Sequence, residues 1–347
     1  MEFDSQKFMQ RATELSLLGK GLTMTNPMVG CVIVHPIQGI IGEGYHNRFG
    51  GPHAEVNAIN SVQEKGLFNE STLYVTLEPC SHHGKTPPCV DLIIQHHLKR
   101  VVIGALDPNP KVDGLSKLRA AGIEVDILDF SQRFNQINKF FVLNQLQQRA
   151  FVTIKYAQTK NGYIGSGNSD RLKITDDLTN QWVHQLRADH QGILIGSKTY
   201  ILDRPGLDVR YVGGNSPIKF VVNSSCSILP EVHKRNDNVI IVHQNEDFKD
   251  GNHLYIDSTL TRKEFWKSLL ESIYMKYGIG SLLIEGGPQI IDSVTDASLW
   301  DEAFVITSTE VEYNQEKGIK SPKILGILQD CFNIKNDIIE KYIPFSL

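Results

Sequence analysis

The sequence has no hydrophobic run approaching the ~18 residues of a membrane span, and Met1 to Gln10 carries Glu2 and Asp4 where a leader would have an apolar core. Neither membrane insertion nor secretion is expected, so the expected compartment is the cytoplasm. A basic excess is also missing: 35 Lys and Arg stand against 39 Asp and Glu, a formal net charge of -4. Nucleic acid, which needs cations spaced along its phosphates, is a disfavoured partner, and a small-molecule substrate is expected instead. Cysteine is scarce. Its five copies, Cys31, Cys80, Cys89, Cys226 and Cys331, are odd in number and scattered, which does not fit a disulfide framework. No G-x-G-x-x-G fingerprint is found either.

What is present reads as an ordinary globular chain, 41% hydrophobic and 21% charged. Its 347 residues suit two domains, placed at 1–146 and 147–347. In the first half, Lys7 to Leu18 has helical spacing, and Val29 to Val34 with Ile40 to Gly44 reads as a hairpin. A helix over Pro52 to Lys65, a strand over Thr72 to Leu77, a helix from Cys89 to His97, a strand over Arg100 to Leu106 and a helix over Ser116 to Ala121 follow. This order, with a closing strand, predicts a mixed sheet between helices. From Phe130 to Arg149, a stripe of Phe134, Ile137, Phe140, Phe141 and Leu146 predicts one connecting helix rather than a flexible tether. Beyond it, strands at 151–157, 192–196, 218–222, 239–242 and 281–284 and a helix from Asp176 to Ala188, capped near Thr175, predict an α/β domain with a mostly parallel sheet.

Chemistry concentrates in Gly51-Pro52-His53-Ala54-Glu55 and in Glu78-Pro79-Cys80-Ser81-His82-His83-Gly84-Lys85-Thr86-Pro87-Pro88-Cys89. A histidine, a non-ligating glutamate two residues on and two cysteines after a Pro-Cys step match the zinc nucleobase deaminase signature. Imidazole and thiolates bind Zn2+ tightly, so His53, Cys80 and Cys89 are the candidate ligands, with one metal position left for water. Glu55, at a helix start, is the candidate proton shuttle. Other positions are open on residues alone. Asn26 either starts a turn or reads a pyrimidine edge, and Lys85 is either a solvated loop charge or a contact for an anionic substrate. For His82 and His83, substrate contact or solvation is favoured over ligation. Cys31, inside an apolar run, reads as packing.

These motifs resemble the bifunctional deaminase-reductase family of riboflavin biosynthesis. Most zinc deaminases close their site with Cys-x-x-Cys, whereas eight residues separate Cys80 from Cys89 here, as in that family. Asn26-Pro27-x-Val29-Gly30-Cys31, Gly42-Glu43-Gly44 and Asp107-Pro108-Asn109-Pro110 match it as well. The resemblance implies a cytidine-deaminase-like first domain, with Asn26, His82 and Lys85 touching a pyrimidine ribotide. Where the family has a Gly-basic-Gly segment after the Asp-Pro-Asn-Pro loop, Val112-Asp113-Gly114 runs straight into Leu115.

In the second half, Glu285-Gly286-Gly287-Pro288 sits between a strand and a helical stretch. Alone it is either a plain turn or a phosphate-binding one. With Lys155-Tyr156-Ala157-Gln158-Thr159-x-x-Gly162, Arg187-Ala188 and the 199–210 stretch, it follows the order of the same family's reductase half. That implies a dihydrofolate-reductase-like α/β fold using NADPH. By matching positions, Ala157, Thr199, Asp203, Ser224, Gly287, Pro288, Gln289, Ile290, Ile291, Asp292 and Ser293 would line the cofactor, while Arg187, Leu207, Arg210 and Glu285 would face the substrate. The chain departs from the family at Arg171 and Lys173, at Arg204 and at Asn161, where an aspartate is common. The resemblance implies two steps, hydrolytic deamination of a diaminopyrimidinone ribosyl phosphate and NADPH reduction of its ribosyl group to ribityl. Homo-oligomerisation is the usual expectation for such an enzyme. Two rivals are weighed against it. A zinc deaminase for another nucleotide or an RNA base, with an inactive nucleotide-binding second domain, predicts Cys-x-x-Cys spacing and, for RNA, a basic face. A structural-zinc protein predicts a fourth protein ligand.

Overall fold

The computed structural model describes residues 5–82, 87–166, 172–228, 230, 232, 238–246, 253–314 and 317–345. The chain divides into two compact units, Met1–Gln147 and Gln148–Leu347.

The first unit is built on a five-stranded sheet in the order β2-β1-β3-β4-β5, with β1 Gly30–His35, β2 Gly39–Tyr45, β3 Thr72–Val75, β4 Arg100–Ile103 and β5 Glu124–Ile127. The β1-β2 and β1-β3 pairs are antiparallel, and β3-β4 and β4-β5 are parallel. Every residue of β1 is buried, so its alternation feeds two cores. Cys31 and Ile33 join Ala54, Ala58 and Ile59 of α2 (Ala54–Ser61), Val90 and Ile93 of α3 (Cys89–Gln95) and Leu118 of α4 (Gly114–Ala120) on one face. Val32 and Val34 meet Met9, Ala12 and Leu15 of α1 (Ser5–Leu17) on the other. The result is the expected sheet between helices. Gly44 lets α2 approach, since a Cβ there would stand 2.3 Å from the Ala58 nitrogen and 2.5 Å from the Ala54 oxygen.

The predicted connecting helix is two helices, α5 (Ser131–Ile137) and α6 (Lys139–Gln147), broken at Asn138. Phe134 is buried with the sheet's core and Phe141 packs against it, but Leu146 is exposed. The stripe failed because Asn138 and Asn144, polar and off the stripe, are the buried positions beside Phe134.

The second unit carries a nine-stranded sheet in the order β11-β10-β9-β8-β12-β6-β13-β16-β15. Strands β6 (Phe151–Gln158), β8 (Gly192–Gly196), β9 (Ile218–Val222), β10 (Val239–His243), β11 (His253–Tyr255), β12 (Ser281–Ile284) and β13 (Glu302–Ser308) run parallel to their neighbours. β15 (Ile327–Ile334) and β16 (Asp337–Ile343) close it antiparallel, and β7 (Tyr163–Gly165) pairs with β14 (Ile319–Lys320). On one face α9 (Arg262–Tyr277) buries Trp266, Leu269, Leu270 and Ile273 beside Ile291 and Val294 of α10 (Pro288–Asp296). On the other, α7 (Asp177–Ala188) supplies Val183 and Leu186, and α8 (Ser197–Asp203) supplies Tyr200. The cap of α7 is Asp176, whose side chain accepts from the Thr179 nitrogen, rather than Thr175.

Candidate active sites

In the first unit, the helix starts and strand ends converge. His53 is the N-cap of α2 and Glu55 lies in its first turn. Cys80 follows β3 on a loop pinned by Thr76 N–H to the Gly30 carbonyl and Glu78 N–H to the Ala105 carbonyl, and Cys89 opens α3 behind Pro88. His53 Nδ1 lies 3.5 Å from Cys80 Sγ and 3.3 Å from Cys89 Sγ, while the Cys89 N–H donates to Cys80 Sγ at 3.3 Å. All three donor atoms lie within 4.8 Å of one another, and among the described residues no fourth His, Cys, Asp or Glu joins them. Two soft sulfurs, one imidazole and an open position fit a zinc that must admit water, and fit a closed structural site poorly.

The electrostatics suit this use. The hydrogen bond from the Cys89 thiol, aided by His53 and the Cys89 N–H, pulls Cys80 down to about 4, ready as a thiolate. Burial raises the Glu55 carboxyl above its ordinary value against the opposing pull of His53. Glu55 is only 3% exposed.

A cavity of about 340 Å³ opens on this cluster, and Asn26, His46, Phe49, Glu55, His82, Asp107, Asn109, Phe141 and Gln145 are among its lining residues. His46 was missed in the sequence because a lone histidine in a strand-to-loop step has no spacing signal. Its Nδ1 faces the Pro52 carbonyl at 3.0 Å, which can only accept, so Nε2 accepts from the Asn26 amide at 3.2 Å. Burial lowers the His46 pKa, in keeping with that neutral tautomer. Asn26 thus spends an N–H on His46 and keeps its carbonyl oxygen for a donor edge. Glu78, also missed, is 7% exposed and accepts from the backbone N–H of Leu115 at 2.9 Å and of Asp107 at 3.2 Å. It therefore ties down both ends of the loop between Asp107 and Leu115. His82 is exposed at the cavity wall, and Lys85 lies outside the described residues.

In the second unit, the candidate positions gather at the carboxyl ends of parallel strands, where open α/β sheets bind ligands. Ala157 is next to last in β6, Thr199 and Asp203 lie on α8 just beyond β8, and Ser224 follows β9. Gly287 caps α10, with Pro288 in its first turn, and Gln289 follows. Thr199 Oγ1 lies 3.5 Å from where a Gly287 Cβ would stand, so these two turns adjoin. Ile290 packs partly buried against the core and Asp292 is exposed. Two candidates face inward instead: Ile291 is fully buried in the core, and Ser293 Oγ accepts from Trp266 Nε1 at 2.9 Å.

Glu285 sits in a clamp. Arg187 donates Nε and Nη2 to its two oxygens, each at 2.8 Å, and Lys155 Nζ donates at 2.9 Å. Burial alone would raise this carboxyl, but Lys155 and Arg187 outweigh it and hold it at about 2. Arg187 Nη1 reaches the Asp208 carbonyl at 3.3 Å, so each of its three nitrogens has a partner within the fold. Arg210, exposed and 3.1 Å from Asp208, is the more available cation. Leu207 is buried with φ +53°. Of the departures, Asn161 pairs with both the carbonyl (2.8 Å) and the N–H (3.1 Å) of Tyr313. Lys173 pairs with Asp177 at 2.9 Å, Arg204 ends α8 in a left-handed conformation, and Arg171 lies outside the described residues.

Comparison with known proteins agrees with this layout. Residues 2–105 match the family described as "Cytidine and deoxycytidylate deaminase zinc-binding region", and residues 150–309 match "RibD C-terminal domain". The riboflavin biosynthesis protein RibD of Aquifex aeolicus is 33% identical over 88% of this chain and 87% of its own length, and that of Escherichia coli is 34% identical over 94% of each. A solved Thermotoga maritima structure, described as a diaminohydroxyphosphoribosylaminopyrimidine deaminase and 5-amino-6-(5-phosphoribosylamino)uracil reductase, superposes with a TM-score of 0.84. It is 33% identical, covering 98% of this chain and 99% of that one.

Proposed function

Because the chain belongs to the RibD family of riboflavin biosynthesis proteins, we propose that it deaminates a diaminopyrimidinone ribosyl phosphate and then reduces the ribosyl group to ribityl with NADPH. The observation that carries the first step is the His53, Cys80 and Cys89 triad beside buried Glu55. Zinc, when bound by the triad, supplies the Lewis acidity that activates water at neutral pH. Glu55 would take a proton from the attacking water as its oxygen bonds to the ring carbon, and would pass a proton to the amine as the C–N bond breaks, so that ammonia leaves and a carbonyl remains. The Asn26 carbonyl oxygen accepts from the substrate's N–H edge, and the neutral His46 keeps the amide turned that way. His82 and Lys85 are assigned to the ribotide on the resemblance.

For the second step, the strand-end positions Ala157, Thr199, Asp203, Ser224 and the Gly287 turn are assigned to NADPH. The cofactor supplies a hydride to C1 of the opened ribose. Arg210 meets the substrate phosphate as an exposed guanidinium, while Glu285, held by Lys155 and Arg187, shapes the substrate side. We place the functional boundary at 146/147. No described helix is long and apolar enough to cross a membrane. The cytoplasm is the compartment we assign, in keeping with five cysteines of which none is paired in a disulfide. Homo-oligomerisation belongs to the same reading and is checked by sedimentation. The test of function is an assay of the zinc-loaded protein on the pyrimidine ribotide with and without NADPH. Ammonia release in both conditions and NADPH oxidation in one is the expected result; no ammonia release overturns the reading.

A further inference from the structure

We propose that the α5-α6 pair is a working wall of the deaminase cavity, with Asn138 as a positioning residue and Phe141 and Gln145 as substrate-contacting residues. The inference rests on the deaminase reading above and assigns that site a part no motif predicts. Asn138 is 4% exposed, at the break between the two helices. Its carboxamide oxygen accepts from the Met28 N–H at 2.7 Å, and its amide nitrogen donates to the Met28 carbonyl at 3.1 Å. This two-point clamp grips the backbone two residues from Asn26. At the break, one buried amide satisfies both backbone groups of an irregular segment.

The same residue seats the second wall. The Val142 N–H donates to the Asn138 carbonyl at 2.9 Å, which starts α6 from the clamp. Phe141 and Gln145 then lie one turn apart on α6, and both line the cavity that holds Asn26, His46 and Glu55. A flat ring and an amide at i and i+4 suit a heteroaromatic face and a polar substituent of the ribotide. Asn138 acts through position alone, because it fixes the spacing between the Asn26 segment and the α6 wall.

The test uses the full zinc-loaded chain. Asn138→Asp keeps the acceptor for the Met28 N–H but sets a carboxylate oxygen against the Met28 carbonyl. KM for the pyrimidine ribotide is expected to rise about tenfold with kcat within about threefold, because repulsion at the Met28 carbonyl shifts the segment that carries Asn26 and loses about one substrate hydrogen bond. Zinc content and the reduction of supplied deaminated intermediate stay at wild-type levels. Gln145→Leu, which keeps the volume of the wall and leaves the clamp intact, covers the case in which Asn138→Asp does not fold. It is expected to raise KM about threefold or more. In the wild type, the Met28 amide is expected to exchange with deuterium as slowly as the amides of β1. An unchanged KM in both variants, or fast exchange at Met28, overturns the inference while leaving the deaminase reading intact. Absence of ammonia release by the wild type overturns both.

Discussion

Glu55 and the three ligands divide the labour of one step, and single substitutions separate the parts. Glu55→Gln keeps shape and leaves His53, Cys80 and Cys89 untouched, so zinc content is expected to be unchanged. Deamination is expected to fall by ~10²–10⁴ or more, since one carboxylate serves several proton transfers. Metal analysis beside an ammonia assay checks this, and near wild-type turnover would remove Glu55 from the mechanism. Cys80→Ser is expected to lose both metal and activity, because a neutral hydroxyl replaces a side chain already drawn toward thiolate by Cys89 and His53. At this scale, the triad and Glu55 were legible because each residue type has a chemical reason at its spacing. His46, Glu78 and Asn138 were not. Glu78 and Asn138 work through the backbone of distant segments, at Leu115 and Met28, and His46 links the nearby Pro52 carbonyl to the Asn26 amide twenty residues back; a single sequence has no local pattern for such partners.

The Glu285 clamp joins three elements, with Lys155 on β6, Arg187 on α7 and Glu285 just after β12. In the fold its carboxyl is held at about 2, against an ordinary value of 4.5. The folded state therefore holds fewer protons than the unfolded one between these values. The clamp's contribution is complete at neutral pH and is lost as pH falls from about 4.5 toward about 2. Glu285→Gln leaves Lys155 and Arg187 without their carboxylate, so the variant is expected to melt well below wild type at neutral pH, and the gap to narrow as pH is lowered through that window. Melting curves at a series of pH values check it; a constant gap would show that the clamp's charge is not what stabilises it. Among elements, the buried parallel strands β6, β8, β9, β10 and β12 were readable as β-branched runs, whereas β13, buried and parallel to β6, was not. The exposed edge strand β15 was not, because no buried face imposes an alternation on it. Helix α9, with its Thr261 and Glu264 capping box, carried a start signal that went unused.

For the whole molecule, the two chemistries belong to separate units of one chain, and each unit has its own sheet and its own cores. Hydride transfer needs no zinc, and ammonia release needs no NADPH, so the proposed steps should fail independently. The structure also sharpens which arginine reports on the second step. Arg187 is only 12% exposed and bonded through all three nitrogens to Glu285 and Asp208, so its loss would unsettle the fold and blur the reading. Arg210 is 54% exposed, pairs with Asp208 at 3.1 Å and lies over the exposed Tyr211 ring, so its removal leaves the unit's core intact. Arg210→Ala is therefore expected to raise KM for the deaminated intermediate about tenfold, the loss of one charge-assisted phosphate contact, with ammonia release and melting temperature unchanged. Glu55→Gln is expected to do the reverse: no ammonia release, but wild-type NADPH oxidation when the intermediate is supplied. Paired assays on the two variants and their double mutant decide the matter. If Arg210→Ala leaves reduction untouched, the phosphate is held elsewhere in the second unit. If Glu55→Gln also lowers reduction of supplied intermediate, the two steps do not fail independently and the units must be treated as a coupled machine.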